Sequence, residues 1–444
     1  MYYLSCLTTN CMKVFFELKK NGTSVSTEII AGFSSFLATA YIVVVNPSIL
    51  SQTGMPFSGV LTATVLVCFF SSVMMGLYAR SPILVAPGMG LNAFFTFTAV
   101  LGMKVPWPVA LGAVFWSGII FLLLSAFNIR THIVKAIPKP LRYAVAAGIG
   151  LFITLIGFEN AKFIVPNSAT IVSSAALSPV VATFWLGLMF TAILILRKVK
   201  AAILIGILFT TLLAYPIGRW WGGGDTLIKW NGFISAPDFS LLFTLDVVNS
   251  LQWAVVPVIF AFVFTDMFDS LSTLVGVSEA AGLLDENGEP RNIKKALLTD
   301  AVATTLAGLT GSSPGTAYVE SAVGIEAGGR TGLTAVVGGL LFLPFLFLAP
   351  LLSMVPAIAT APALVLVGVF LVRPVVKVNW QNLEEAIPCF IAMVLIPYTF
   401  SITQGIVWGF LTWTILKIAS GKGREISPAL LIIDVLAIVA LILG

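Results

Sequence analysis

Charge is what this sequence has least of. Lys, Arg, Asp and Glu supply 10% of its 444 residues, against about 25% in an average soluble domain. Histidine occurs once, as His132, within a basic run (NIRTHIVKAIPKPLR) that reads as a solvent-facing loop. Cys6, Cys11, Cys68 and Cys389 show no CxxC or paired spacing, so neither a disulfide framework nor a zinc site is implied. HExxH and Cys/His clusters are absent and the one loop histidine cannot serve as a base, which removes the His-based nucleophile–base pairs and metal centres of an intramembrane enzyme. No repeated filter-like motif of a channel pore is seen. The segment before Lys13 has no charged region leading into an apolar core, so no cleavable signal peptide is expected.

What the chain has in excess is hydrocarbon. Hydrophobic residues make up 58% of it, with a mean hydropathy of +1.04. Apolar runs near the length that crosses a bilayer, about 20 residues, recur from end to end. The reading is a polytopic α-helical membrane protein. The net charge of +5 fits the Lys and Arg excess of cytoplasmic loops rather than a nucleic-acid surface. The alternation of Lys13, Lys19 and Lys20, the Arg130–Arg142 loop, and Arg197, Lys198 and Lys200 places the N-terminus in the cytoplasm. On that side the NGT at Asn21–Thr23 is no glycosylation site.

Taken in order, a polar leader precedes a span at about 29–45, expected to stop at Asn46-Pro47 because proline removes a donor. A second span covers about 59–78. Then SPILVAPGMGLNAFFTFTAVLG reads as a short extended run, a Pro-Gly-Met-Gly break and a short helix from about Leu91. Spans follow at about 108–126, 141–157, 180–196 and 201–217, then a polar excursion (GRWWGGGDTLIKWNGFISAPDFS) with interfacial Trp. An amphipathic stretch is expected near 241–251, a long span at about 253–277, and further spans at about 296–309, 331–354, 362–372, 386–399, 402–419 and 430–443. APGMGLNAF and ESAVGIEAG share a pattern of extended run, small residues and abbreviated helix. Paired interrupted segments in corresponding positions point to a transporter's midplane site; the rival reading is Gly-rich helix packing.

Three acids fall in this region. Asp266 and Asp269 lie three residues apart in FVFTDMFDSLSTLVG, which on a helix places both on one face. Glu320 follows the Gly/Ser/Pro break of LAGLTGSSPGTAYVESAVGIEAGGRTGL. Left unpaired and ionised at the bilayer centre, the three would cost roughly 8–10 kcal/mol. No Lys or Arg lies in the apolar parts of these segments. They are expected to be protonated, hydrogen-bonded to one another or turned towards a ligand.

PGMGLNAFF, TDMFDSLSTLVG and SSPGTAYVESAVGIEAGGRTGL, in that order, carry a resemblance covering nearly the whole chain. It is similar to the azaguanine-like purine permeases of the nucleobase–cation symporter-2 group. The resemblance implies an all-α fold of about 14 transmembrane segments in two inverted seven-segment repeats. Two broken segments, each a short β-strand and half-helix, would face one another. It implies a leader (1–28), a core domain (29–127 and 253–354) and a gate domain (137–219 and 361–444) through which homodimers form. It also implies proton-coupled import of adenine, guanine or hypoxanthine across the cell membrane, with the proton as coupling ion and no cofactor or metal.

Site residues follow from the matching positions. Asn92 offers a carboxamide that both donates to and accepts from a base edge; its alternative is a helix-start residue satisfying local backbone. Glu320 resembles the main base-binding acid, or caps the helix that follows. Asp266 resembles a second binding acid, and Asp269 the position tied to transport, assigned with Asp266 to proton coupling. Gly90 and Gly324 would let backbone N–H groups approach the base, or serve turns with positive φ. Phe94, Phe95, Phe264, Phe268 and Tyr318 are candidates for stacking. Glu326 is expected in a structural salt bridge. Asp300 is expected in a first helical turn, complementing the dipole. Asp434 has no assigned role. A same-fold carrier of uracil, xanthine or an inorganic anion is the rival, although an anion site would place cations or bare helix N-termini where three acids stand.

Overall fold

The computed structural model describes residues 13–127, 137–220, 232–280, 282–284 and 290–443. His132, Cys6 and Cys11 lie outside them. The helices and strands are α1 (Val25–Thr39), α2 (Ile42–Leu50), α3 (Phe57–Leu77), β1 (Val85–Pro87) and α4 (Met89–Ala93), which continues as π-helix over Phe94–Gly102. Next come α5 (Trp107–Ala126), α6 (Lys139–Asn160), a hairpin of β2 (Ile164–Asn167) and β3 (Ile171–Ser174), α7 (Pro179–Leu196) and α8 (Ala202–Trp220). The second half holds α9 (Val256–Ala280), α10 (Ile293–Thr310), β4 (Gly315–Ala317), α11 (Ala322–Glu326), α12 (Gly332–Leu340), α13 (Ala349–Leu352), α14 (Ala357–Val372), α15 (Leu383–Thr399), α16 (Ile402–Ala419) and α17 (Pro428–Leu443).

Eight helical stretches among the described residues are long and apolar enough to cross a membrane, with shorter apolar helices at 89–102, 202–216 and 332–347. Local departures from the sequence reading have physical causes. The first span runs through Pro47, and its discontinuity falls earlier, at Ala40–Tyr41. The stretch 241–251 forms turns and a single 3-10 turn rather than an amphipathic helix. The span expected at 331–354 is broken after Leu340 by a 3-10 turn containing Pro344.

Two packing groups emerge. In one, α5 lies along α10, α3 along α12 and α10, and α1 along α12 and α11. In the other, α6 packs on α14 and α15, α7 on α8, and α15 on α16. Small residues set the close approaches. Added β-carbons at Gly76 and Gly332 would each collide with the other's backbone, and one at Gly308 would sit 2.7 Å from Phe115 N. This is the small-residue packing expected where lipid supplies no hydrophobic drive between helices. Outward faces stay apolar, as with Leu186, Met189 and Ile193 of α7.

The two interrupted segments meet, as the family resemblance implied. β1 and β4 pair antiparallel, with Val85 opposite Ala317, Ala86 opposite Thr316 and Pro87 opposite Gly315. Backbone groups at the ends of this ribbon also find partners. Leu84 N donates to Ser321 Oγ at 2.9 Å, and Val85 N to Ser72 Oγ at 3.0 Å. Non-helical backbone at membrane depth requires such satisfaction. A further tie is Glu28 of α1, fully buried, which accepts from Arg330 N, Thr331 N, Thr334 N and Thr334 Oγ1. Its side-chain oxygens thereby satisfy N–H groups left free at the start of α12.

Candidate functional site

Because β1 and β4 run antiparallel, the two short helices leave the ribbon from its opposite ends, and a cavity of about 160 Å³ is lined by residues from both strand–helix junctions. It far exceeds the roughly 10–15 Å³ needed to hold one water. One wall is made by Gly88, Met89 and Gly90 at the start of α4, by Thr316–Glu320, and by Tyr41 from the α1–α2 junction. Thr265, Asp269 and Thr273 of α9 complete that side, four residues apart and therefore on one helical face. The rest of the lining is an apolar wall, made by Val145, Ala146 and Ile149 of α6 with Val367, Phe370 and Leu371 of α14. The cavity thus sits between the two packing groups.

Its polar groups are placed by specific bonds. Tyr41, fully buried, donates its hydroxyl to Glu320 Oε1 at 2.7 Å. Tyr318 donates to the Pro87 carbonyl at 2.5 Å, which pins its ring across the ribbon. No described residue forms an ion pair with Glu320 or Asp269. Thr265 is 1% exposed, and its hydroxyl has no hydrogen-bond partner among the described residues.

The predicted site residues divide. Asp269, Glu320, Gly90 and Tyr318 line the cavity. Asp266 does not; it lies behind the wall, where Thr304 Oγ1 donates to its Oδ2 at 2.7 Å and Ser270 Oγ lies 3.1 Å from its Oδ1. A three-residue spacing leaves about 60° between two side chains on a helix of 3.6 residues per turn. Here that angle separates a cavity-facing acid from a buried one. Asn92 is also fully buried and outside the cavity wall. Its Nδ2 reaches Met89 Sδ at 3.8 Å, and its Oδ1 has no partner among the described residues.

Gly324 packs against α1 instead of lining the cavity: an added β-carbon would strike Ser35 Oγ and lie 2.5 Å from Ala31 O. Neither Gly90 nor Gly324 has positive φ, so neither serves a left-handed turn. Phe94 and Phe95 pack on Phe262, and Phe264 on Phe260 and Phe410, all away from the cavity. The Phe268 side chain lies outside the described residues. Glu326 makes no ion pair among the described residues, and Arg330 donates instead to the Ile325 and Gly329 carbonyls.

Sequence reasoning missed several participants. Asp300 is not a first-turn residue, because α10 begins at Ile293; it is fully buried and lies 2.6 Å from Ser270 Oγ. Tyr41 and Phe370 belong to segments with no local signal, since any apolar helix carries such aromatics. Asp434 accepts from Thr414 at 2.6 Å, remote from this site.

With this geometry in place, comparison with known proteins decides the family. A family model described as "Permease family" (Xan_ur_permease) matches residues 26–408. The chain belongs to this permease family. The permease is 44% identical over 430 residues to the adenine permease AdeP of Escherichia coli, covering 96% of this chain and 95% of that one. It is 39% identical to the guanine/hypoxanthine permease PbuO of Bacillus subtilis over 439 residues, 96% and 99% of the two chains. Among solved structures, the transmembrane domain of the cyanobacterial bicarbonate transporter BicA matches with a TM-score of 0.63 at 16% identity, covering 86% of this chain and 97% of that one. SLC26A9 matches at 0.64 and 8% identity, over 94% and 70%. These last two likenesses concern the fold alone. The permease is therefore an integral membrane transporter, not an enzyme.

Proposed function

We propose that this permease imports purine nucleobases together with a proton, by alternating access. The observation that carries the reading is the cavity at the strand–helix junctions, which Glu320 and Asp269 line together with apolar residues, neither acid having an ion-pair partner among the described residues. A purine is a flat disc with N–H donors and N and O acceptors along its edge, and carboxylates accept from those donors. Glu320, oriented by Tyr41, would take one ring or exocyclic N–H. Asp269 would take another and meet the proton. The Thr265 hydroxyl supplies a donor for a ring nitrogen. Tyr318 and Phe370, which line the cavity, would stack on the base in place of Phe94 or Phe264. The adenine and guanine/hypoxanthine permeases among its relatives favour purines over uracil or an anion.

Within this reading, the group containing α1, α3, α5, α9, α10 and α12 is the core, and the group containing α6–α8 and α14–α16 is the gate. Two seven-segment inverted repeats, a cytoplasmic N-terminus and a homodimer through the gate belong to the same proposal. Hydrogen bonds between the groups, from Lys200 Nζ to Ser34 Oγ at 2.8 Å and from Thr98 Oγ1 to the Phe400 carbonyl at 2.7 Å, would break as they move. The test is uptake of radiolabelled adenine, guanine and hypoxanthine by cells lacking their own carriers, across pH and with an uncoupler. Accumulation that rises at acidic external pH and collapses with the uncoupler is expected. Uptake of none of the three bases sinks the proposal.

A further inference from the structure

Behind the cavity wall, Ser270 Oγ sits among three oxygens: Asp300 Oδ2 at 2.6 Å, Thr316 Oγ1 at 2.8 Å and Asp266 Oδ1 at 3.1 Å. All four residues are buried. A hydroxyl carries one proton and can donate only once. It therefore cannot satisfy two ionised carboxylates, and the second faces its lone pairs unless that carboxyl itself carries a proton and donates. Thr304 Oγ1, 2.7 Å from Asp266 Oδ2, is also 3.1 Å from the Gly315 carbonyl and likewise has one proton to give. Two negative charges astride one hydroxyl, at membrane depth, are costly, so the doubly ionised pair draws one proton to itself. Thr316 connects this cluster to the cavity, because it lines the wall and touches Ser270.

We propose that Asp266 and Asp300 share one proton through Ser270, and that Thr316 and Ser270 relay it to and from the cavity. This rests on the proton-symport reading above. In the loading step Thr316 takes a proton from a hydronium ion in the cavity, which is left as water, and passes its own hydroxyl proton to Ser270. Ser270 takes that proton and passes its own to one carboxylate of the doubly ionised pair, so each hydroxyl ends neutral and one O–H bond forms for each that breaks. Release is the reverse. Other titratable groups facing this region are Asp269, Glu320, Tyr41 and Tyr318 on the cavity side, and the buried Cys68 thiol of α3 near Tyr318. On α10 the nearest cations, Lys294 and Lys295, are exposed in the first turn, and the Lys295 ammonium lies over the Tyr78 ring.

The test compares the parent with Ser270→Ala and Asp300→Asn in proteoliposomes, measuring proton-driven accumulation, base-for-base exchange and their pH profiles. Ser270→Ala should lower accumulation roughly tenfold or more while exchange persists. Asp300→Asn places a permanent N–H donor opposite Ser270, mimicking the loaded pair, so exchange should become insensitive to pH and accumulation should vanish. Thr316→Val should lose accumulation and Thr316→Ser recover it. Should Ser270→Ala not fold, Asp300→Asn carries the test. Infrared difference spectra of the parent should also show a protonated-carboxyl C=O band at neutral pH that moves in Ser270→Ala. A parent showing no pH or uncoupler dependence removes the symport reading and the relay with it. A parent with that dependence, left intact by Ser270→Ala and Asp300→Asn, overturns the relay alone.

Discussion

Replacing Glu320 by Gln changes one atom type without changing volume, and the structure says which way the amide will lie. Tyr41 donates to Oε1, so the amide oxygen of Gln stays with the tyrosine and the NH₂ group takes the other position. A base N–H that met a carboxylate oxygen then meets another donor. A hydrogen bond to a charged group contributes roughly 1.5–3 kcal/mol, and each 1.4 kcal/mol is tenfold in Kd. Base affinity should therefore fall roughly 10- to 150-fold. The assay is binding of radiolabelled base to purified protein in detergent, with thermal unfolding measured in parallel to show that the fold is kept. Tyr41→Phe should weaken binding less, because the acid loses its orienting bond but keeps both acceptor oxygens. Affinity for Glu320→Gln within threefold of the parent, for all three bases, would refute the placement of the ligand edge against Glu320.

Phe370→Ala should weaken base binding by about the 1–3 kcal/mol that aromatic stacking contributes per base, whereas Phe94→Ala should lower stability with little effect on affinity; equilibrium binding and thermal unfolding of both variants check this. Gly324→Ala forces a methyl group onto Ser35 and should destabilise by about 1–3 kcal/mol, read as a lower unfolding temperature with unchanged affinity in the folded fraction. If affinity falls instead, Gly324 contacts the ligand after all. The Ser58 hydroxyl, donating at 2.6 Å, holds the Asp238 carboxyl below its ordinary value of 3.8. A depressed carboxylate stabilises above its unfolded pKa and loses that contribution as pH falls through the folded value. Unfolding temperature should thus drop below about pH 4, and the part due to this pair should be absent in Ser58→Ala.

The membrane setting, the order of the main spans and the two interrupted segments were all legible from composition and pattern. Hydrocarbon length and the Gly/Pro breaks are local properties that no partner can alter. The same is true of the conclusion that Asp266, Asp269 and Glu320 need a reason to be in oil. Which reason applies to which acid was decided only in three dimensions. Asp269 and Asp266 differ by a fraction of a helical turn, so the surroundings of α9 determine that one meets a cavity and the other meets Thr304 and Ser270. Asp300 lies 30 or more positions away in sequence, and only the packing of α10 and β4 on α9 brings it to the same hydroxyl. Asn92 and Gly324, read as ligand contacts, lie buried outside the cavity lining, the glycine against α1, because small and amphiphilic residues at a break serve helix packing as readily as recognition. The apolar wall from α6 and α14, with Phe370, had no signature at all: a side chain that faces a ligand and one that faces lipid look alike until the fold closes around them.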